Sequence, residues 1–128
     1  MLYLTLDDIL AIRDEVAREC VNPVALREPS SLYAAMEAPR QIVFGEEIFH
    51  TLAEKAGALL YGLVQHHPFW DGNKRIATRA LELFLLNNSA RVTVSAEALQ
   101  AYTREIARGN LSRDDVVAWL KQRIEVHA

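Results

Sequence analysis

The sequence predicts an all-α domain of about six helices, with one central buried helix and a short flap. Apolar residues repeat at three- and four-residue intervals in six segments, which is the spacing of helices that pack one face on a core. Several of these segments follow a serine or threonine that can cap a helix. The length of 128 residues and the 51% of hydrophobic residues fit one globular domain covering residues 1–128.

The elements expected in the first part of the chain are two helices and a flap. Thr5 is the expected N-cap of the first helix, and two aspartates follow in its first turn, where the helix dipole favours them. The second helix ends before Pro39, because a proline disfavours helical geometry in the residue before it. Residues 42–44 have strand character and precede Gly45, which predicts an extended loop or a short hairpin flap. The predicted helices cover approximately residues 5–18, 31–37, 51–65, 73–87, 95–107 and 112–126.

The third and fourth helices carry the most apolar residues. In the fourth helix these residues nearly surround the axis, which is typical of a central helix packed on several sides. The small residues 56–58 of the third helix would let a neighbouring helix approach closely. The apolar residues of the fourth helix are Ile76, Ala77, Ala80, Leu81, Leu83, Phe84, Leu85 and Leu86.

The last part of the chain predicts a short extended stretch and two more helices. Residues 90–95 form the extended stretch, and Ser95 caps the fifth helix. Ser112, followed three residues later by Asp115, predicts a capping pair at the start of the sixth helix. This last helix is expected to continue to about Val126.

The composition excludes several classes of function. The formal net charge of −3 gives no overall basic excess, so we expect no direct binding to nucleic acid. A single cysteine cannot form an internal disulfide and fits a reducing compartment. The N-terminus resembles neither a signal nor a transit peptide, and no apolar run approaches the roughly 20 residues of a membrane span. We therefore expect a cytoplasmic protein that does not contact a membrane.

The start of the fourth helix is the strongest candidate for a functional site. The first amides of a helix have no partner within the helix, and together with the helix dipole they form a site for anions. Gly72 and Asn73 place small or polar residues at this start, and Lys74 and Arg75 follow in the first turn. The dipole disfavours cations there. The two basic residues are therefore best explained by a bound anion such as a phosphate chain.

The residues around this start add groups suited to group transfer. Asp71 is a natural ligand for Mg²⁺, which commonly takes one or two carboxylates together with phosphate oxygens. His66 or His67 can accept a proton from a hydroxyl group near neutral pH. Arg79 follows Arg75 at helical spacing and is a further candidate for binding the cofactor. These groups together describe phosphoryl or nucleotidyl transfer.

Each of these residues also has a structural explanation when taken alone. The histidines can be solvated, Asp71 can be an N-cap, and the basic residues can be solvated or ion-paired; Arg79 in particular can pair with an acid. Phe69 and Trp70 are expected to anchor the loop in the core. Pro68 disfavours helical geometry at His67. The functional explanation is favoured because all of these residues meet at one helix start.

The segment HPFWDGNKR, residues 67–75, resembles the signature of the Fic/Doc (Fido) superfamily. Its Lys-Arg pair is similar to the Doc (death-on-curing) branch, whereas adenylylating Fic enzymes carry Gly-Arg. The segments YLTLDDILAIRDEV, LREPSSLYAAMEAPRQIVFGEE and LFLLNN are also similar to the family, and the last third matches only by its helical pattern. The resemblance implies a Fido-type helical domain.

The resemblance also implies a role for each residue of the signature. His67 matches the catalytic histidine, Phe69 the buried aromatic residue and Asp71 the acid that binds magnesium. The phosphate-binding loop is matched by residues 72–75, that is, by Gly72, Asn73, Lys74 and Arg75. His66 lies outside the signature.

The function that the resemblance implies is that of a toxin from a type II toxin–antitoxin module, silenced by a Phd-type antitoxin. The characterised Doc activity is ATP-dependent phosphorylation of elongation factor Tu, which stops translation. Thr78 stands where adenylylating Fic enzymes have a second arginine, and Lys74 replaces their glycine, so both favour the kinase over AMP transfer. The alternatives are AMP transfer and a non-catalytic corepressor that binds an antitoxin. Residues 41–46 would dock the target protein by strand pairing.

Overall fold

The computed structural model describes residues 1–127, in which six α-helices are joined by short loops and two small antiparallel sheets. The six predicted helices are therefore confirmed, but the fold is mostly helical rather than all-α. The helices are α1 (Leu6–Ala17), α2 (Pro29–Glu37), α3 (Leu52–Gln65), α4 (Asn73–Asn87), α5 (Ala96–Ala107) and α6 (Arg113–Lys121). The strands are β1 (Ile42–Val43), β2 (Glu46–Glu47), β3 (Ala90–Val92) and β4 (Ile124–Val126), and a short 3₁₀ turn covers Ala38–Arg40.

The helices begin where local capping chemistry predicts. Thr5, Thr51, Ser95 and Ser112 are N-caps, and the side chain of each accepts a hydrogen bond from the backbone amide three residues later. Ser112 forms a reciprocal capping box with its helix, as the sequence predicts. α2 begins two residues earlier than expected, because Pro29 occupies its first turn, where a proline needs no amide hydrogen.

The predicted flap is a β-hairpin formed by β1 and β2. Phe44 and Gly45 join the two strands, and both have positive φ angles, of 51° and 80°. Two consecutive positive φ angles are typical of the tight two-residue turns that connect the strands of a β-hairpin. The side chain of Phe44 is fully exposed at the tip. The hairpin therefore projects from the helical body.

The sixth helix ends five residues earlier than the sequence predicts. It stops at Lys121, and the following strand β4 pairs antiparallel with β3, so that Ile124 lies opposite Val92. Ile124 continues the helical apolar spacing of α6, which is why the sequence favours a longer helix. The strand forms instead because pairing with β3, more than 30 residues earlier in the chain, satisfies backbone hydrogen-bonding groups of both segments.

The core is built around α3 and α4, with buried side chains from all six helices. α3 packs against α2, α4, α5 and α6, and α4 packs against α1, α3 and α5. Gly57 lets α6 approach α3 closely, since a Cβ atom there would lie 2.7 Å from a methyl group of Val117. Apolar side chains do not surround α4 as expected: Leu86 is 68% exposed and Leu83 only partly buried. Within residues 1–127, no helix is both long and apolar enough to cross a membrane.

Candidate active site at the start of helix α4

The loop between α3 and α4 is held by backbone hydrogen bonds to the segment that precedes α2. Leu26 and Phe69 form an isolated antiparallel bridge. The amide of Arg27 donates to the carbonyl of Pro68 at 2.8 Å, and the amide of Trp70 donates to the carbonyl of Ala25 at 2.9 Å. The loop that carries the signature is therefore fixed on both sides of Phe69. A rigid frame of this kind is what precise catalytic geometry requires.

The side chain of Arg27 adds a second clamp to this loop. Its Nε donates to the carbonyl oxygen of His67 at 2.9 Å, and its Nη2 donates to that of His66 at 3.3 Å. The same guanidinium lies 5.9 Å from the centroid of the Trp70 ring. Sequence reasoning missed Arg27, because it lies 40 residues before His67 and belongs to no signature.

Asn73 closes the loop from the other end. Its Oδ1 accepts from the backbone amide of Phe69 at 2.9 Å, and its Nδ2 donates to the carbonyl of Phe69 at 2.7 Å. The residue is only 7% exposed. The amide group of its side chain is thus used within the protein. Asn73 can contribute to phosphate binding through its backbone N–H and through the loop shape that it holds.

The two aromatic residues of the loop point in opposite directions. Phe69 is completely buried, as predicted, but Trp70 is 66% exposed, so the expectation that it anchors the loop was wrong. The physical reason is the strand-like pairing of this segment with residues 25–27. Successive side chains of an extended segment point to opposite faces, so burying Phe69 turns Trp70 outwards.

An open cleft of about 600 Å³ brings most of the candidate residues together. His67, Asp71 and all of residues 72–75 line it. His67 is exposed and has a φ angle of +50°, so it lies outside the right-handed helical region, as Pro68 predicts. His66 lines a separate cavity of about 520 Å³ beside the flap. The two adjacent histidines therefore face different cavities.

The start of α4 offers unpaired amides to this cleft. Gly72 is the N-cap, with a φ angle of 77° and no side-chain cap. The first α4 amide that bonds to a carbonyl is that of Ile76, to Gly72 O at 2.9 Å. The amides of residues 73–75 therefore have no partner within the helix. Asp71 Oδ1 accepts from the amide of Gly72 at 2.8 Å, so Asp71 precedes the helix and is not its N-cap.

We expect Gly72→Ala to lower the free energy of unfolding by about 2 kcal/mol, because its backbone is left-handed and the added methyl group would crowd Val16. A Cβ atom there would lie 3.0 Å from Val16 Cγ1. Gly45→Ala is the matched control, since Gly45 has a φ angle of 80° with no atom within 4 Å of the added carbon. Urea denaturation of both variants separates the cost of the left-handed backbone, which both share, from the cost of crowding Val16, which only Gly72→Ala has. Equal losses would show that the contact of the added methyl group with Val16 costs no stability.

The basic residues of the first turn lie in different surroundings. None of the ion pairs within residues 1–127 involves Lys74, which is exposed at the cleft. Arg75 reaches the end of α1, where its Nη1 donates to Glu19 O at 3.3 Å and lies 3.8 Å from Glu19 Oε2. Lys74 is thus a cation in an N-terminal turn without a carboxylate partner, which suits an external anion.

Arg79 does not line the cleft but contacts a residue that does. Its Nη2 lies 2.6 Å from both carboxylate oxygens of Glu19. The hydrogen bonds from Arg79 hold the pKa of the Glu19 carboxyl below its usual value, and the charges of Arg79 and Arg75 add to this effect. The same bond raises the pKa of Arg79. Of the two explanations for Arg79, the pairing with an acid is the contact that the structure contains.

One of the two acids that line the cleft could hold a magnesium ion. Asp71 is partly buried beside the amides of α4, whereas Glu19 is already paired with Arg79. Residues 1–127 contain no cluster of three or more histidine, cysteine or acidic side chains arranged to hold a metal. Mg²⁺ does not need such a cluster, since one or two carboxylates, water and substrate phosphates commonly complete its shell. Asp71 therefore fits as its single protein ligand.

Comparison with known proteins identifies the family of the chain. The sequence model of the Fic/DOC family matches residues 3–85, a segment that includes the whole signature, residues 67–75, and Arg27. The chain is also similar to "Toxin Doc" from Mycolicibacterium smegmatis, with 32% identity over 97 residues, which cover 74% of this chain and 75% of that protein. The matched segment extends from before α1 almost to the end of α4. The chain therefore belongs to the Fic/DOC family.

Proposed function

We propose that this protein is a Doc-like toxin that transfers the terminal phosphate of ATP to a hydroxyl group on a protein of the translation machinery. The observation that supports this proposal most directly is the meeting of two groups in one cleft. These are the exposed imidazole of His67 and the unpaired amides at the start of α4. A proton acceptor beside an anion cradle is the minimum that phosphoryl transfer requires.

Phosphate binding is assigned to the first turn of α4. The amides of residues 73–75 donate to the phosphate oxygens, and the positive end of the helix dipole adds to their attraction. Lys74 and Arg75 neutralise part of the charge on the phosphates. Asp71 would hold Mg²⁺, which when bound neutralises charge on the phosphate oxygens.

His67 acts as the general base. It takes the proton of the target hydroxyl as the oxygen forms its bond to the γ-phosphorus. The bond from that phosphorus to the oxygen bridging to the β-phosphate breaks, and ADP leaves with the electron pair. The clamp of Arg27 on the backbone of His67 keeps the imidazole at the cleft while the amides of α4 keep the phosphates in place. Positioning of this kind provides much of the rate in phosphoryl transfer.

Two features favour terminal phosphate transfer over AMP transfer. Lys74 fills a position that is glycine in adenylylating relatives, which by that resemblance leaves less room for their phosphate arrangement. Arg79 is held by Glu19 outside the cleft lining, so it is less available to bind phosphate than Arg75. Both features suit an arrangement in which the terminal phosphate faces His67.

The hairpin is the proposed docking site for the target protein. Ile42 and Val43 are 62% and 40% exposed, and the hairpin has only two strands, so an extended segment can pair with its edge. We propose elongation factor Tu as the target and a Phd-type antitoxin as the inhibitor. The similarity to a protein named Toxin Doc supports the toxin role. The target and the type of antitoxin are proposed from the resemblance of residues 67–75 to the Doc branch.

Paired labelling with ATP tests the proposed reaction. We expect label from the γ-phosphate, but not from the α-phosphate, to enter purified elongation factor Tu and a single band of the same mass in a bacterial lysate. Chelation of divalent cations should prevent this labelling, because without the metal the negatively charged carboxylate of Asp71 would repel the phosphates instead of holding them through Mg²⁺.

The other outcomes each point to a different function. Transfer of the α label would replace the kinase with a nucleotidyl transferase. A γ label on a different protein would keep the reaction and change the target. The absence of both labels from every protein would favour a non-catalytic partner of an antitoxin.

A further inference from the structure

Trp70 is the least expected side chain of the cleft. It is the largest aromatic residue type, yet it is 66% exposed, whereas the neighbouring Phe69 is fully buried. Its backbone amide is fixed to Ala25 O at 2.9 Å, so the outward position of the ring follows from an ordered backbone. Large exposed aromatic side chains beside a concave site commonly mark a binding surface.

The position of the Trp70 ring relative to residues 72–75, which form the proposed phosphate cradle, suggests its ligand. Trp70 lines the same cleft as residues 72–75, and its Cα lies at most about 7 Å from that of Gly72, since only Asp71 separates them. It also lines a smaller cavity of about 480 Å³ with Asn22, Pro23 and Ala25. The ring therefore stands between the cradle and an open space that a flat group attached to a phosphate chain can enter.

The Trp70 ring also contacts the side chain of Arg27, which is itself held in place. The guanidinium of Arg27 lies 5.9 Å from its centroid, and the same group is fixed by its hydrogen bond to the His67 carbonyl. A ring that is held before binding loses little freedom on contact with a ligand.

We infer that Trp70 is the stacking platform for the nucleobase of the bound nucleotide. This inference rests on the proposed function, since it assumes that residues 72–75 hold the phosphates. Stacking of a base on an aromatic side chain strengthens binding by roughly five- to 150-fold and tolerates different bases, because every base has a flat face. The cleft should therefore accept ATP and GTP with similar affinity, and both more tightly than inorganic tripolyphosphate.

Calorimetry on three variants tests this assignment in the presence of Mg²⁺. We expect Trp70→Ala to weaken ATP binding about tenfold or more and Trp70→Phe to weaken it less than threefold. Binding of inorganic tripolyphosphate, which has no base, should be the same in all variants. Tyr33→Ala is the matched control, because Tyr33 is 53% exposed and lies on α2 away from the cleft.

Fluorescence gives a second measurement that does not depend on the stability of Trp70→Ala. In a Trp119→Phe background, which keeps an aromatic ring against Tyr102, Trp70 is the remaining tryptophan. We expect ATP to quench its emission and tripolyphosphate to leave it unchanged.

Several results would overturn the inference. Unchanged ATP affinity in Trp70→Ala would exclude stacking and leave the ring as a contact for another ligand or a protein partner, with the proposed function intact. If Trp70→Ala weakened the binding of ATP and of tripolyphosphate equally, Trp70 would maintain the shape of the phosphate site at residues 72–75 and would not contact the base. If wild-type protein bound neither compound, both this inference and the proposed function would be wrong.

Discussion

Replacing His67 with asparagine is expected to lower the rate of phosphate transfer by about 10²- to 10⁴-fold while the fold is retained. The φ angle of His67 is +50°, a left-handed conformation that asparagine tolerates better than most residues. The side chain is exposed, and Arg27 binds the carbonyl of His67 rather than its ring. The substitution therefore removes the proton acceptor and leaves the loop clamp in place. The rate of γ-label transfer at saturating ATP measures the loss.

Two further variants separate catalysis from structure. His66→Asn is the matched control, because the adjacent imidazole lines a different cavity, and it should retain transfer within a few-fold. His67→Ala should lose transfer equally but also about 1 kcal/mol of stability, since alanine is less suited to a positive φ angle. Full transfer by His67→Asn would mean that another group accepts the proton. Loss of transfer in His66→Asn alone would move the base to His66.

The parts of the fold that the sequence predicts are those set by local interactions. The caps at Thr5, Thr51, Ser95 and Ser112 involve residues three positions apart, so they can be seen in the sequence. The pairing of β3 with β4 joins segments more than 30 residues apart, and short strands have no local signal that outweighs helical spacing. This is why the sequence predicts an end of α6 that lies too far along the chain.

The candidate site likewise contains residues that are close in the sequence, which could be predicted, and residues that come from distant segments, which could not. His67, Asp71 and residues 72–75 are contiguous, so one helix start is enough to bring them into one cleft. The groups that hold them come from elsewhere: Arg27 lies 40 residues before His67, and Glu19 lies 60 residues before Arg79. The partner of Arg79 could be anticipated only as an unspecified acid. The outward position of Trp70 depends on pairing with residues 25–27 and could not be anticipated at all.

Asn73→Ala is expected to lower the free energy of unfolding by about 3 kcal/mol in the absence of nucleotide. It removes both hydrogen bonds between the Asn73 side chain and the backbone of Phe69, whose amide and carbonyl are buried. A buried polar group left without a partner costs about 1–3 kcal/mol. Since the loop is then free to open, transfer and binding of ATP should also be lost. Urea denaturation of the free protein measures the first effect. Unchanged stability with lost binding would mean that the side chain contacts the ligand directly.

Asn73→Asp gives this prediction a pH dependence that distinguishes loop closure from ligand contact. One oxygen of the introduced carboxyl can still accept from the Phe69 amide, but the other replaces a donor that lies 2.7 Å from the Phe69 carbonyl. Only the protonated carboxyl can donate there, so folding raises its pKa above the unfolded value of about 3.9. The stabilising bond is then complete below that value and is lost as the pH rises through the raised folded pKa. We therefore expect Asn73→Asp to gain stability relative to Asn73→Ala as the pH falls. A difference between the two variants that stays constant with pH would argue against the bidentate closure of the loop.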